Sequence, residues 1–166
     1  MASRLRIRRP SRGLGPLAGS RYTEGSGKRM TAEADRQIAL VDGSNVAYST
    51  ERDRPVLANI TLVCDRLEAE GYQPIVVVDA ALRHQIDDKE GYERRIEEGK
   101  IRQAPAGTDA DYFILSFARE LDAVVVSNDR FRDRIGKFPE VRNRIVRFMI
   151  VEDEVVLERR NGRRDD

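Results

Sequence analysis

The apolar residues fall into short blocks separated by polar segments, and the spacing inside each block says what it forms. Ile38–Asp42 is a continuous apolar run ending in an acid, the pattern of a strand buried on both faces. From Pro55 to Glu70 the period changes. Val56, Ile60, Val63, Cys64 and Leu67 share one helical face, with a proline near the start and Gly71 as a stop. Pro74 leads into a second strand over Ile75–Asp79, and the charged segment Ala81–Gly99 reads as helical with a break near Gly91. Lys100–Gln103 is a short strand, and Thr108–Leu121 is a helix with Phe113, Ile114, Phe117 and Leu121 along one side. Ala123–Ser127 is a further strand, Asn128–Gly136 a short helix, and Ile145–Val151 and Glu154–Glu158 two strands joined through Glu152-Asp153. No solenoid-type repeat is present. Alternating strands and helices predict an α/β domain with three layers, α/β/α, around a mainly parallel sheet with right-handed crossovers.

Composition changes this picture at the chain ends. Of 166 residues with a formal net charge of +1, the first thirty hold eight basic side chains and one acid, Glu24, so the remainder is acidic. Residues 1–35 are rich in Gly, Ser, Pro and Arg and lack apolar periodicity. They predict a disordered basic arm able to grip phosphates, or a mis-called leader if Met30 is the true start. Residues 36–160 form the expected single domain, and 161–166 a charged tail. The lone Cys64 excludes an intramolecular disulfide and a thiolate cluster and is expected as a buried structural thiol. No apolar run approaches twenty residues, and the basic N-terminus has no apolar core of a secretory signal. A cytoplasmic setting is therefore expected, with no membrane contact and an idle Asn59-Ile60-Thr61 sequon.

The chemistry gathers where strands end. In an open α/β sheet, ligands bind outside the carboxyl ends of the strands. Asp42, Asp79 and Asp129 fall there, Asp109 and Asp111 open a helix, and Asp133 shares a face with Asp129 if 129–134 is helical. Crowded carboxylates raise one another's pKa, a cost that a divalent cation removes. Mg²⁺ or Mn²⁺ suits carboxylates, water and phosphate oxygens; zinc suits this chain poorly, with its one His and one Cys. Each acid also has a plainer reading. Asp42 beside Gly43 could close a turn. Asp111 could bond the Thr108 amide in a capping box. Asp129 could cap a helix, Asp133 could pair with Arg130 or Arg132, and Asp87 and Asp88 read as solvated. Asn45, Asn128, Ser44 and Ser127 could hold a carboxylate rotamer or a metal-bound water.

An acidic centre needs cations nearby to hold phosphate. The candidates are Arg83, His84, Lys89, Arg94 and Arg95, then Arg130, Arg132 and Arg134, and later Arg142, Arg144 and Arg147. Those favoured for substrate contact are Arg83, Arg94, Arg130 and Arg132, with Ser44, Ser127 and Asn128. Tyr48 and Tyr92 could stack a base or serve as packing.

Three motifs in order carry a resemblance. Val41-Asp42-Gly43-Ser44-Asn45-Val46-Ala47, Asp109-Ala110-Asp111-Tyr112-Phe113-Ile114-Leu115 and Asp122-Ala123-Val124-Val125-Val126-Ser127-Asn128-Asp129-Arg130-Phe131-Arg132-Asp133 make residues 36–160 resemble an NYN-type, PIN-like ribonuclease, nearest the Regnase (MCPIP-like) branch. The resemblance implies a metal-dependent endonuclease acting on RNA, with single strands preferred and a 5′-phosphate and 3′-hydroxyl as products. It implies catalytic roles for Asp42, Asn45, Asp111, Asp129 and Asp133, and Mg²⁺ or Mn²⁺ held by Asp42, Asp111, Asp129 and Asp133, with a share for Asp109. That branch has two adjacent acids in the central motif, where this chain has Ala110 before Asp111. The zinc finger of the animal proteins has no counterpart, so target preference does not carry over. The alternatives are a non-catalytic RNA-binding module on the same scaffold and a small-molecule phosphohydrolase, although Ser44 stands where the latter's Asp-x-Asp motif needs its second acid. A homodimer and a protein inhibitor or RNA-processing partner are left open.

Overall fold

The computed structural model describes residues 35–158. Apart from Asp35, the expected basic arm and charged tail lie outside the described residues.

Five strands form one parallel sheet: β1 (Ile38–Asp42), β2 (Gln73–Val78), β3 (Ile101–Gln103), β4 (Val124–Val126) and β5 (Ile145–Val146), in the order β3-β2-β1-β4-β5. The helices are α1 (Gly43–Ala47), α2 (Leu57–Ala69), α3 (Leu82–Gln85), α4 (Lys89–Glu97), α5 (Ala110–Leu121) and α6 (Pro139–Arg142). Successive strand residues point to opposite faces, and they feed two separate cores. Ala39, Val41, Val76, Val78, Val124 and Val126 pack with Val46, Leu57, Ile60, Val63 and Leu67. Leu40, Val77 and Val125 pack with Ile114, Leu115, Ala118 and Val141. Strands buried on both faces and covered by helices are the three-layer α/β/α arrangement expected from the sequence. Winding proceeds from β1 outward to β3, then returns to β4 on the other side of β1. That reversal opens a crevice between the carboxyl ends of β1 and β4.

A hairpin of β6 (Phe148–Val151) and β7 (Glu154–Leu157) follows, turning through Glu152 and Asp153 at φ 48° and 65°. Two consecutive positive φ values suit the twist of a two-residue hairpin. The expected strand 145–151 is thus two strands, one in the sheet and one in the hairpin.

Other boundaries also moved, for tertiary reasons. The first long helix starts at Leu57 because Asp87, thirty residues away, accepts the Leu57 N–H at 2.8 Å. The break expected at Gly91 lies instead at Ile86–Asp88, between α3 and α4. Ile86 is buried in the core, and Asp88 caps α4 by accepting the Gly91 N–H at 2.8 Å. Asp87 and Asp88 are therefore helix caps as well as solvated acids. The expected helix at 128–136 reduces to a 3₁₀ turn at Ile135–Lys137. Asp129 accepts the Phe131 N–H at 2.7 Å, and Phe131 adopts φ 48° to bury its ring, which a helix would not allow. Among the described residues no helix is long and apolar enough to cross a membrane.

Candidate active site at the switch point

Asp42 ends β1 and caps α1. Its Oδ1 accepts the Asn45 backbone N–H at 3.2 Å and its Oδ2 accepts the Ser127 hydroxyl at 2.9 Å. The residue after it must be glycine. A Cβ on Gly43 would sit 2.6 and 2.7 Å from the Cγ1 atoms of Val78 and Val76. Asp42 is only 7% exposed, and burial pushes its carboxyl up to about 6; the Asn45 amide and the Ser127 hydroxyl oppose the shift, and the charges of Asp111 and Asp129 add to it.

Ser127 is fully buried and joins two acids: its Oγ donates to Asp42 and accepts the Asp129 N–H at 3.1 Å. This internal position takes Ser127 off the list of substrate contacts. Asn45 differs from expectation in a similar way. Its backbone, not its side-chain amide, holds Asp42, while its Oδ1 accepts the Asn128 N–H at 2.9 Å. Asn128 in turn accepts the Phe148 N–H at 3.1 Å through its own Oδ1, which anchors the hairpin. Ser44 Oγ accepts the Asp79 N–H at 2.9 Å, and Asp79 closes a turn by accepting the Ala81 N–H at 2.7 Å. Both are thus tied into the ends of β1 and β2.

Beside Asp42 lies an open concavity of about 440 Å³, lined by Asp109, Asp111, Asp129 and Asp133 together with Asn128, Phe131, Arg130, Arg132 and Arg134. Asp111, in the first turn of α5, has its carboxyl raised by burial first, then by the charges of Asp129 and Asp109, with Arg134 opposing. Asp109 behaves oppositely. It, rather than Thr108, caps α5 by accepting the Tyr112 N–H at 3.2 Å, and its other oxygen pairs with Arg134. The Tyr112 amide and then the Arg134 guanidinium hold its carboxyl below the usual range. Asp133 reaches the concavity from a turn, not from one helical face shared with Asp129.

Among the described residues no three His, Cys, Asp or Glu side chains stand close enough to enclose one ion. The carboxyls of Asp42 and Asp111 are nonetheless raised, by burial first and then by neighbouring acids, Asp129 among them in both cases, and a cation would relieve that repulsion. These acids fit a hydrated Mg²⁺ or Mn²⁺ that keeps water and takes one or two carboxylates, not a closed protein cage.

The expected cations divide clearly. Arg83 is held bidentate by Glu93 at 2.7 and 2.9 Å, and Arg94 stands 3.9 Å from Glu90; both belong to the α3–α4 side. Arg95 donates to Thr61 at 2.6 Å, Arg144 pairs with Asp122, and Arg147 lies 3.8 Å from Glu158. Arg130 and Arg132 line the concavity and make no ion pair among the described residues. Tyr92 is fully buried, so it is core and cannot stack a base, whereas Tyr48 is half-exposed. Tyr112, not singled out from the sequence, is half-exposed next to Asp111 and meets Phe138 edge to face at 5.4 Å. The Asn59 amide donates to Val46 O, Ala47 O and Thr50 Oγ1 from a buried position. Cys64 is half-buried, with its thiol pushed up to about 12 by burial. It lines a larger cleft, about 520 Å³, at the amino ends of β2 and β3, on the end of the sheet away from the acids.

A family model described as the Zc3h12a-like ribonuclease NYN domain matches residues 35–166. Two structures of nuclear protein-only RNase P 2 from Arabidopsis thaliana share the fold, at TM-scores of 0.60 and 0.61 and 22% identity. The matches cover 79% and 80% of this chain but 31% and 32% of those chains, so this chain spans about a third of their length. No curated protein matches the chain.

Proposed function

The chain belongs to the Zc3h12a-like ribonuclease NYN family, and from that premise we propose that it is a metal-dependent endoribonuclease that hydrolyses single-stranded RNA at the crevice between β1 and β4. One observation carries the reading. Asp42 is a buried carboxyl with a pKa of about 6, pinned by Ser127 and Asn45 and raised further by the charges of Asp111 and Asp129. A fold gains nothing from crowding three acids at a switch point unless something positively charged is to be held there.

In this reading Asp42, Asp111 and Asp129 surround a hydrated Mg²⁺ or Mn²⁺, one or two of them as direct ligands and the rest through its waters, with Asp133 in the adjoining concavity. Bound there, the cation would acidify a water and neutralise charge on the scissile phosphate. Ser127 and Asn45 keep Asp42 and the Asp129 loop in fixed relation, so the acids need no reorganisation when substrate arrives. Arg130 and Arg132 offset the repulsion between the acidic centre and the RNA backbone. Half-exposed Tyr48 and Tyr112 are available to stack bases. Asp109, already committed to Tyr112 and Arg134, is the least suited of the five acids to bind an ion.

The test is cleavage of matched single-stranded RNA and DNA with Mn²⁺, with and without EDTA. The reading expects RNA cut internally with Mn²⁺ and left intact with EDTA. The open spacing of the acids favours a second reading, a non-catalytic RNA-binding module. Metal-indifferent binding of RNA without cleavage would select it.

A further inference from the structure

Among the three arginines of the acidic concavity, Arg134 alone is spoken for among the described residues: its Nε pairs with Asp109 Oδ2. We propose that Arg134 is a phosphate-gripping residue masked in the free protein by Asp109, and that RNA takes it over by displacing this pair. The inference rests on the concavity being the RNA site.

Three features make the exchange feasible. First, the pair is weak. Both side chains are about two-fifths exposed, 40% for Arg134 and 38% for Asp109, and an ion pair so wet is screened and worth little. A phosphate offers a guanidinium a bidentate, doubly oxygenated partner of equal or better geometry.

Second, release leaves the surroundings intact. Asp109 divides its tasks between its oxygens: Oδ1 caps α5 through the Tyr112 N–H, and Oδ2 meets Arg134. The Arg134 backbone is fixed separately, its N–H donating to Phe131 O at 2.9 Å. The side chain can leave without uncapping the helix or unravelling the turn.

Third, position matters. Arg134 lines the same concavity as Asp111, Asp129, Arg130 and Arg132, so a phosphate held there lies within reach of its guanidinium.

The discriminating substitution is Asp109→Asn, because asparagine is an equally good helix cap but a poor competitor for a guanidinium. Binding of a fluorescently labelled single-stranded RNA is measured by anisotropy in EDTA, where nothing is cut, for wild type, Asp109→Asn, Arg134→Gln and the double variant. Asp109→Asn is expected to tighten binding about two- to fivefold, the factor that an exposed ion pair represents. Arg134→Gln is expected to weaken binding by a similar factor. In the Arg134→Gln background the Asp109 change should do almost nothing, since the competitor has nothing left to mask. With Mn²⁺ present, the tighter binding of Asp109→Asn should appear as a lower KM.

Weaker binding by folded Asp109→Asn, an equal tightening with and without Arg134, or wild type that binds no RNA would each overturn the proposal. So would loss of kcat in Asp109→Asn, which would mark Asp109 as a metal ligand. Because binding is read without cleavage, a wild type that binds as expected but never cuts would sink the nuclease reading and leave this one standing.

Discussion

The side-chain carbonyl of Asn45 accepts the backbone N–H of Asn128 at 2.9 Å, fastening the loop after β4 to the first turn of α1. Through this bond the elements carrying Asp42 and Asp129 are set against each other at the crevice. The Asn128 amide lies on an exposed residue, so water can replace the lost partner and the cost to stability is about 1 kcal/mol or less. Asn45→Ala should therefore melt within a few degrees of wild type while RNA cleavage falls at least about tenfold, since a small misplacement of reacting groups is costly. Paired melting and cleavage measurements check this.

Asp42→Asn should stabilise the metal-free protein at neutral pH while abolishing cleavage. In the unfolded chain this carboxyl ionises near 4; in the fold it keeps its proton to about 6. The native state thus binds more protons than the unfolded state between those values, and stability falls as pH rises through that window. Above it the buried charge costs about 3 kcal/mol, which asparagine avoids: its Oδ1 still accepts the Asn45 N–H, while its NH2 faces Ser127 Oγ and donates to it as the hydroxyl turns away. Melting curves in EDTA should show the variant several degrees above wild type at pH 8 and level with it near pH 4. Mn²⁺ should raise the melting temperature of wild type more than that of the variant.

Ser127→Ala removes a hydroxyl that favours the ionised form of Asp42. The Asp42 pKa then rises above its present value of about 6. The acid limb of the pH–rate profile should move upward by about one unit, measured as log kcat/KM against pH with Mn²⁺ saturating.

Gly43→Ala would press a methyl to within 2.6 and 2.7 Å of Val78 and Val76. Overpacking of this kind costs about 1–3 kcal/mol, and here it acts on the residue next to Asp42. Thermal unfolding and cleavage should both decline, unlike in Asn45→Ala, where cleavage alone should suffer.

The layers and the strand ends were legible because they are local. Apolar runs such as Ala39–Val41 and Val124–Val126 leave little choice but a doubly buried strand, and the acid after each run follows it to the crevice. What could not be read depended on partners far away in the chain. Nothing near Leu57 announces that Asp87 will cap it. The four-residue spacing of Asp129 and Asp133 suggested a helix, yet burying Phe131 forced a positive φ and placed Asp133 on a turn. The charged segment around Tyr92 left stacking and packing both open, and the fold decides for packing: the ring faces the core from α4. Arg83 and Arg94 looked like substrate cations until Glu93 and Glu90 came beside them. The pairing of Arg134 with Asp109 spans twenty-five residues and has no signature in either local sequence.

The central claim is that the acids at the switch point cut RNA with a bound cation. The most direct measurement incubates end-labelled single-stranded RNA with wild type and with Asp129→Asn, in Mn²⁺ and in EDTA, after both proteins are shown to melt cooperatively. Asp129 is chosen because it lines the concavity and raises both Asp42 and Asp111. The account predicts internal cleavage by wild type with Mn²⁺, leaving 5′-phosphate ends, and at least about a hundredfold slower cleavage in the other three reactions. Cleavage that survives EDTA, or that Asp129→Asn retains at the wild-type rate, would contradict it.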